Sequence, residues 1–172
     1  ACRLTEVCFT DSSYILGDGY PIQLWQWDFG DGQQMEYTAF TPELCHTYNV
    51  KGTYSVSLVV SATVQGRYYA DTMLRQVHVS ALPEAGISVQ APCAGDAASF
   101  FDMSDDNGVE INTWAWDFGD PFFANDTSSL QNPTYVYDQT GSYSVQLITT
   151  NMAGCADTII KTVLVDLAPT AS

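Results

Sequence analysis

Trp27-Asp28-Phe29-Gly30-Asp31 returns 89 positions later as Trp116-Asp117-Phe118-Gly119-Asp120. The agreement continues at the same offset: Tyr48 with Tyr137, Gly52 with Gly141, Tyr54 with Tyr143, Val56 with Val145 and Leu58 with Leu147. Such a period is too long for a solenoid repeat and is the size of a small β-domain. The chain therefore holds two copies of one unit. Alternation marks the strands of each copy. In the first, Val7-Cys8-Phe9 begins an early strand. Leu24 to Phe29 then sets Trp25, Trp27 and Phe29 on one face and Gln26 and Asp28 on the other. Tyr54 to Val60 alternates apolar residues with serines, and Gln76 to Ser80 closes the copy. The second copy repeats this with Trp114 to Phe118, Tyr143 to Thr149 and Ile159 to Val165.

Each copy carries W-D-F-G-D, then a Tyr, then G-[ST]-Y-S-V-x-L, and this combination resembles the PKD (polycystic kidney disease) domain family. The resemblance covers nearly the whole chain. It implies an all-β fold of two tandem immunoglobulin-like sandwiches. Residues 1–80 form the first domain, 81–86 a short linker containing Pro83, 87–165 the second domain, and 166–172 the start of a linker to a further repeat. The motif residues take structural roles. Trp27, Phe29, Trp116 and Phe118 belong to the cores. Asp28, Asp31, Asp117 and Asp120 bond turn amides, and Gly30 and Gly119 permit the tight bend. Tyr48 and Tyr137 resemble the tyrosine corner of sandwich domains.

Asp28-Phe29-Gly30 also spells a kinase signature, but no Gly-rich loop, strand lysine or His-Arg-Asp loop accompanies it. No Gly-x-Ser-x-Gly is present, and His46 and His78 sit singly in strand-like segments. No catalytic residue is expected, and the chain is read as non-enzymatic.

The balance of 20 acidic against 5 basic residues excludes a nucleic-acid footprint. No apolar run is long enough to span a membrane. The acids crowd in the second copy, where Asp102, Asp105 and Asp106 share one loop rich in hard oxygen ligands. No cofactor is expected, with calcium the one candidate. Phe122 and Phe123 follow the second motif. Two adjacent aromatics cannot both face inward, so they suggest a contact site for a sugar face or a neighbouring subunit. Thr72 and Thr158 stand in Asp-Thr-apolar triplets that resemble an O-glycosylation acceptor of some bacteria.

The second copy has Ile87-Ser88-Val89-Gln90 ahead of Cys93, a good first strand, and the first copy has no counterpart in this sequence. The chain is then either a window on a longer array, or its missing strand comes from a neighbour by β-augmentation. PKD-like arrays resemble parts of bacterial surface adhesins, gliding-associated proteins and secreted hydrolases. The resemblance thus implies a structural and adhesive segment of an exported bacterial surface protein or extracellular filament. The alternative is a carbohydrate-binding accessory module of a secreted hydrolase. Expected partners are neighbouring copies, adjacent repeats or glycans, at an extracellular or cell-surface location.

Five cysteines with no CxxC pair read as disulfides in an exported protein. In a PKD-like sandwich, the strands of Cys8 and Cys45 are antiparallel neighbours. Both residues lie out of phase with the core residues Phe9 and Tyr48, which predicts Cys8–Cys45 on an outer face. Related bacterial domains imply Cys93–Cys155 within the second copy. This intradomain bridge is the favoured pairing and leaves Cys2 free or paired outside the sequence; the alternative, if simple sandwich topology sets Cys93 and Cys155 at opposite ends, is Cys2–Cys155.

Overall fold

The computed structural model describes residues 1–15, 20–41, 43–90 and 92–167, and these contain strands and no helix. The chain divides into two compact units, Ala1–Ser80 and Ala81–Ser172.

Unit 1 contains β1 (Glu6–Thr10), β2 (Leu24–Asp28), β3 (Gln34–Tyr37), β4 (Glu43–Thr47), β5 (Gly52–Val64) and β6 (Arg67–Val79). One sheet runs β3-β2-β5-β6, and the other, among the described residues, pairs β1 with β4. The alternation of β2 has the expected consequence: Trp25 and Trp27 are buried while Gln26 is exposed. Across the pairing, Trp25 faces Val60 and Trp27 faces Leu58, the aromatic-on-aliphatic pairs that stabilise a sheet. Trp25, Trp27, Phe29, Leu44, Tyr48, Val56, Leu58 and Val79 make the core.

The closing strand is longer than Gln76 to Ser80. It begins at Arg67, because Gln65 and Gly66 form a two-residue hairpin turn with φ of 50° and 78°. Positive φ at both central residues matches the twist of the flanking strands.

Unit 2 contains β7 (Ile87–Gln90), β8 (Ala97–Asp102), β9 (Ile111–Asp117), β10 (Thr127–Ser128), β11 (Thr134–Val136), β12 (Gly141–Asn151) and β13 (Ala156–Val165). Its sheets run β10-β9-β12-β13 and β11-β8-β7. Phe100, Trp116, Phe118, Tyr137, Val145 and Leu147 lie at the centre of its core. Residues 81–86 pack into this unit. Ala81 and Ala85 are buried, the Asn151 amide donates to the Ala81 carbonyl at 3.0 Å, and Glu84 exchanges backbone bonds with Asp105 at 2.8 and 2.9 Å. The expected linker over 166–172 lies outside the described residues beyond Leu167.

Cys8 and Cys45 face each other in the β1–β4 register and are bonded. The Cys93–Cys155 pairing is overturned. Cys93 carries a free thiol, whereas Cys155 is engaged in a disulfide, as is Cys2. The register gives the reason. Cys93 bridges Asp166, just past the end of β13, and Cys155 immediately precedes its start. A ten-residue strand separates them, roughly 33 Å at the usual rise, far beyond the reach of a disulfide.

Candidate functional site

The two W-D-F-G-D motifs build the same corner. The Tyr48 hydroxyl donates to the Phe29 carbonyl at 3.1 Å, and the Tyr137 hydroxyl donates to the Phe118 carbonyl at 2.9 Å. Burial pushes the Tyr48 phenol up to about 12 and raises that of Tyr137 further. The first aspartate of each motif accepts an amide, Gly30 N–H on Asp28 at 2.8 Å and Gly119 N–H on Asp117 at 2.9 Å. The second does the same, Gln33 N–H on Asp31 and Phe122 N–H on Asp120, each at 3.0 Å. Gly30 has φ +77°, and a Cβ there would meet the Ser55 carbonyl oxygen at 2.7 Å. At Gly119 the corresponding contact is with the Ser144 carbonyl oxygen. The motif is thus a folding device in both units, and its acids are engaged by the backbone.

His46 is buried, stacks on Phe29 with ring centroids 4.0 Å apart, and lies 2.8 Å from the Asp31 carboxylate. Burial alone would raise the Asp31 carboxyl, but hydrogen bonds from His46 and the Gln33 amide outweigh it and hold the group below its ordinary value. His78 is exposed and pairs its Nδ1 with the Thr53 hydroxyl at 3.0 Å.

Asp102 holds the indole N–H of Trp114 at 2.7 Å and also accepts from the Ser104 amide and from Gln131. Asp105 and Asp106 accept the amides of Asn107 and Gly108. Among the described residues these three carboxylates do not converge. The group that does converge, Glu6 with Cys8 and Cys45, has its sulfurs in the disulfide and offers no thiolate. Sequence reasoning missed that Asp11 treats Trp25 as Asp102 treats Trp114, at the same 2.7 Å. The available signal was an Asp two residues after Phe9 and again two after Phe100.

Two surfaces present large apolar side chains. Phe122 and Phe123 are 61% and 50% exposed on the loop after the second motif. That loop is braced from below by the buried Asp120, whose own amide donates to Asp126 at 2.7 Å. On β6, residues 67–76 are exposed on both faces. Tyr68, Tyr69, Met73 and Leu74 are 65%, 50%, 54% and 65% exposed. The Arg67 guanidinium lies 5.6 Å from the Tyr69 ring centroid, within cation–π range. Thr72 and Thr158 are both exposed on edge strands, β6 and β13.

A family profile described as PKD domain matches residues 1–76 and again 80–165. Human Polycystin-1 is 24% identical over 164 residues, which is 91% of this chain and 4% of the length of that relative. Among solved structures, the PKD1 domain of Vibrio anguillarum Epp is 30% identical. It covers 51% of this chain and 96% of its own, with a TM-score of 0.45. The PKD1 domain of the Vibrio cholerae metalloprotease PrtV is 33% identical and covers 49% and 98%, with a TM-score of 0.43.

Proposed function

The chain belongs to the PKD domain family, and from that premise we propose that it is a structural and adhesive segment of an exported bacterial surface protein or extracellular filament. PKD domains are in general non-catalytic immunoglobulin-like modules. The observation that carries the reading is β6. Ten consecutive residues of this edge strand are exposed on both faces and carry two tyrosines, a methionine and a leucine in the open. Exposed apolar side chains grouped in this way mark surfaces that other molecules cover. The disulfides support an oxidising, extracellular location.

The test is a Tyr68→Ser, Tyr69→Ser, Leu74→Ser variant, compared with the parent in sedimentation and in binding to whole cells. Loss of self-association or of cell binding, with melting unchanged, supports the reading. Unchanged behaviour in both assays sinks it.

A second reading, a carbohydrate-binding accessory module of a secreted hydrolase, is favoured by the exposed Phe122–Phe123 pair, whose ring faces can stack on sugars. Affinity electrophoresis in polysaccharide gels separates the two readings. Retardation that disappears in Phe122→Ala, Phe123→Ala favours the sugar.

A further inference from the structure

The tripeptide Glu-x-Cys occurs twice in unit 1, as Glu6-Val7-Cys8 on β1 and as Glu43-Leu44-Cys45 on β4. The antiparallel register sets Cys8 against Cys45 and places Glu6 and Glu43 on either side of them. Val7, Phe9 and Leu44 pack on the core. Alternation leaves Glu6, Cys8 and Glu43 exposed on the opposite face, with Cys45 half-buried among them. The Glu6 carboxylate and the two sulfurs lie within 4.8 Å of one another. Unit 2 builds the same strand pair from β8 and β11, with Ser99 against Thr134 and Ala97 against Val136. Ser99 and Thr134 stand where unit 1 has its two cysteines, and Ala97 stands where it has Glu6. The β8–β11 pair carries no covalent link, and β7 beside it is held by the Lys161 ammonium, which donates to the Ile87 carbonyl at 3.0 Å. Neither the two cysteines nor the carboxylate is therefore a requirement of the strand pair.

We propose that this cluster is a metal site in the reduced chain. The Cys8 and Cys45 thiolates and the Glu6 carboxylate bind one zinc-class divalent cation, and water fills the fourth position. Two thiolates select a soft or borderline cation over calcium or magnesium. Zinc takes tetrahedral sulfur and oxygen donors at about 2.0–2.3 Å, which sets neighbouring donors roughly 3.3–3.8 Å apart. The three groups already gather within that order of distance. Every chain passes through the dithiol before the disulfide forms, so the metal-binding form precedes the bridged one. Bridge and cation are then alternative links between the same two strands. Reduction by a phosphine puts two electrons into the S–S bond and gives two thiols. The phosphine leaves as its oxide, with water supplying the oxygen and both protons. Zinc next displaces one proton from each thiol as two Zn–S bonds form, and the ionised Glu6 adds without proton release.

The probe is cobalt(II), titrated into the whole chain after phosphine reduction without oxygen, with zinc then added to displace it. One cobalt per chain is expected, with thiolate-to-metal charge transfer and the visible bands of a tetrahedral ion, and none in the unreduced chain. Cys8→Ser or Cys45→Ser should abolish the bands, and Glu6→Gln should weaken binding at least tenfold. Alkylation of the zinc-loaded chain needs no variant. Cys8 and Cys45 should be protected, while Cys2, Cys93 and Cys155 should be labelled as in the metal-free control. Absence of cobalt bands at millimolar metal overturns the proposal. Bands that persist in Cys8→Ser, or protection spread evenly over all five cysteines, overturn it too, because other thiols then hold the metal. Affinity unchanged in Glu6→Gln removes the carboxylate and with it the three-ligand site. Circular dichroism of the same samples reports the strands. Binding confined to a chain that has lost its strand signal also overturns the proposal, since unfolded cysteines bind metals.

Discussion

His46 and Tyr135 occupy one position in the two repeats. Each stacks on the motif phenylalanine, Phe29 at 4.0 Å and Phe118 at 4.4 Å, and each reaches the second motif aspartate, Asp31 at 2.8 Å and Asp120 at 3.1 Å. The partner is a basic ring in unit 1 and a phenol in unit 2.

The acid response of unit 1 follows from this difference. The Asp31 carboxyl titrates below its ordinary value in the fold. Its contribution is therefore present above the unfolded value, about 3.9, and is lost as pH falls through the lower folded one. Melting curves between pH 5 and 2 are expected to fall less steeply in Asp31→Asn than in the parent. Equal slopes would show that the carboxylate does not stabilise the folded corner.

Tyr48→Phe removes a buried donor and leaves the Phe29 carbonyl without its partner. A loss of about 1–2 kcal/mol is expected in urea unfolding. The raised phenol makes a second, alkaline prediction. Its contribution is complete below about 10 and is lost as pH rises toward about 12. Tyr48→Phe is expected to abolish that part of the alkaline decline, and an unaltered decline in the variant would contradict it.

Gly30 and Gly32 separate conformation from crowding. Both have positive φ, but a Cβ at Gly32 meets nothing within 4 Å while one at Gly30 strikes the Ser55 backbone. Gly32→Ala is expected to cost about 1 kcal/mol, the left-handed penalty for a side chain. Gly30→Ala is expected to cost clearly more, and equal melting temperatures for the two variants would refute the close approach.

Trp27→Ala is expected to cost roughly 3–5 kcal/mol, as large core truncations do. Trp27 stacks with Phe29 and packs against Phe9, so near-UV circular dichroism should lose its aromatic signal in the same variant. A loss below 1 kcal/mol would contradict the packing.

Thiol mapping tests the cysteine assignment. Alkylation of the denatured, unreduced chain is expected to label Cys93 alone, and Cys8 and Cys45 should be recovered as one linked peptide pair. Label at Cys155 would contradict it. Removing the Cys8–Cys45 bridge is expected to cost about 2–4 kcal/mol.

The half-buried strands were legible because one face packs and the other does not. The sequence writes that contrast as alternation, which is why β2, β5 and β12 were found with their facing. The first ten residues of β6 carry no alternation because neither face is covered, so periodicity was silent where the strand runs into solvent. The motif's turn role was readable from its Asp-Phe-Gly-Asp chemistry. The Asp11–Trp25 and Asp102–Trp114 bonds were not, because loop and strand meet only after folding. The Cys93–Cys155 expectation fails on register, because the ten residues of β13 separate the two cysteines.

Lys161 is the sole basic side chain of unit 2, and it holds the Ile87 carbonyl. Any reagent that acylates or carbamylates amines therefore has a single side-chain target in that unit. The modification would both remove its last positive charge and release the clasp on its first strand. Chains mapped as modified at Lys161, with Lys51 and the Ala1 amine unmodified, would behave as a conditional strand-release variant, obtained without mutagenesis.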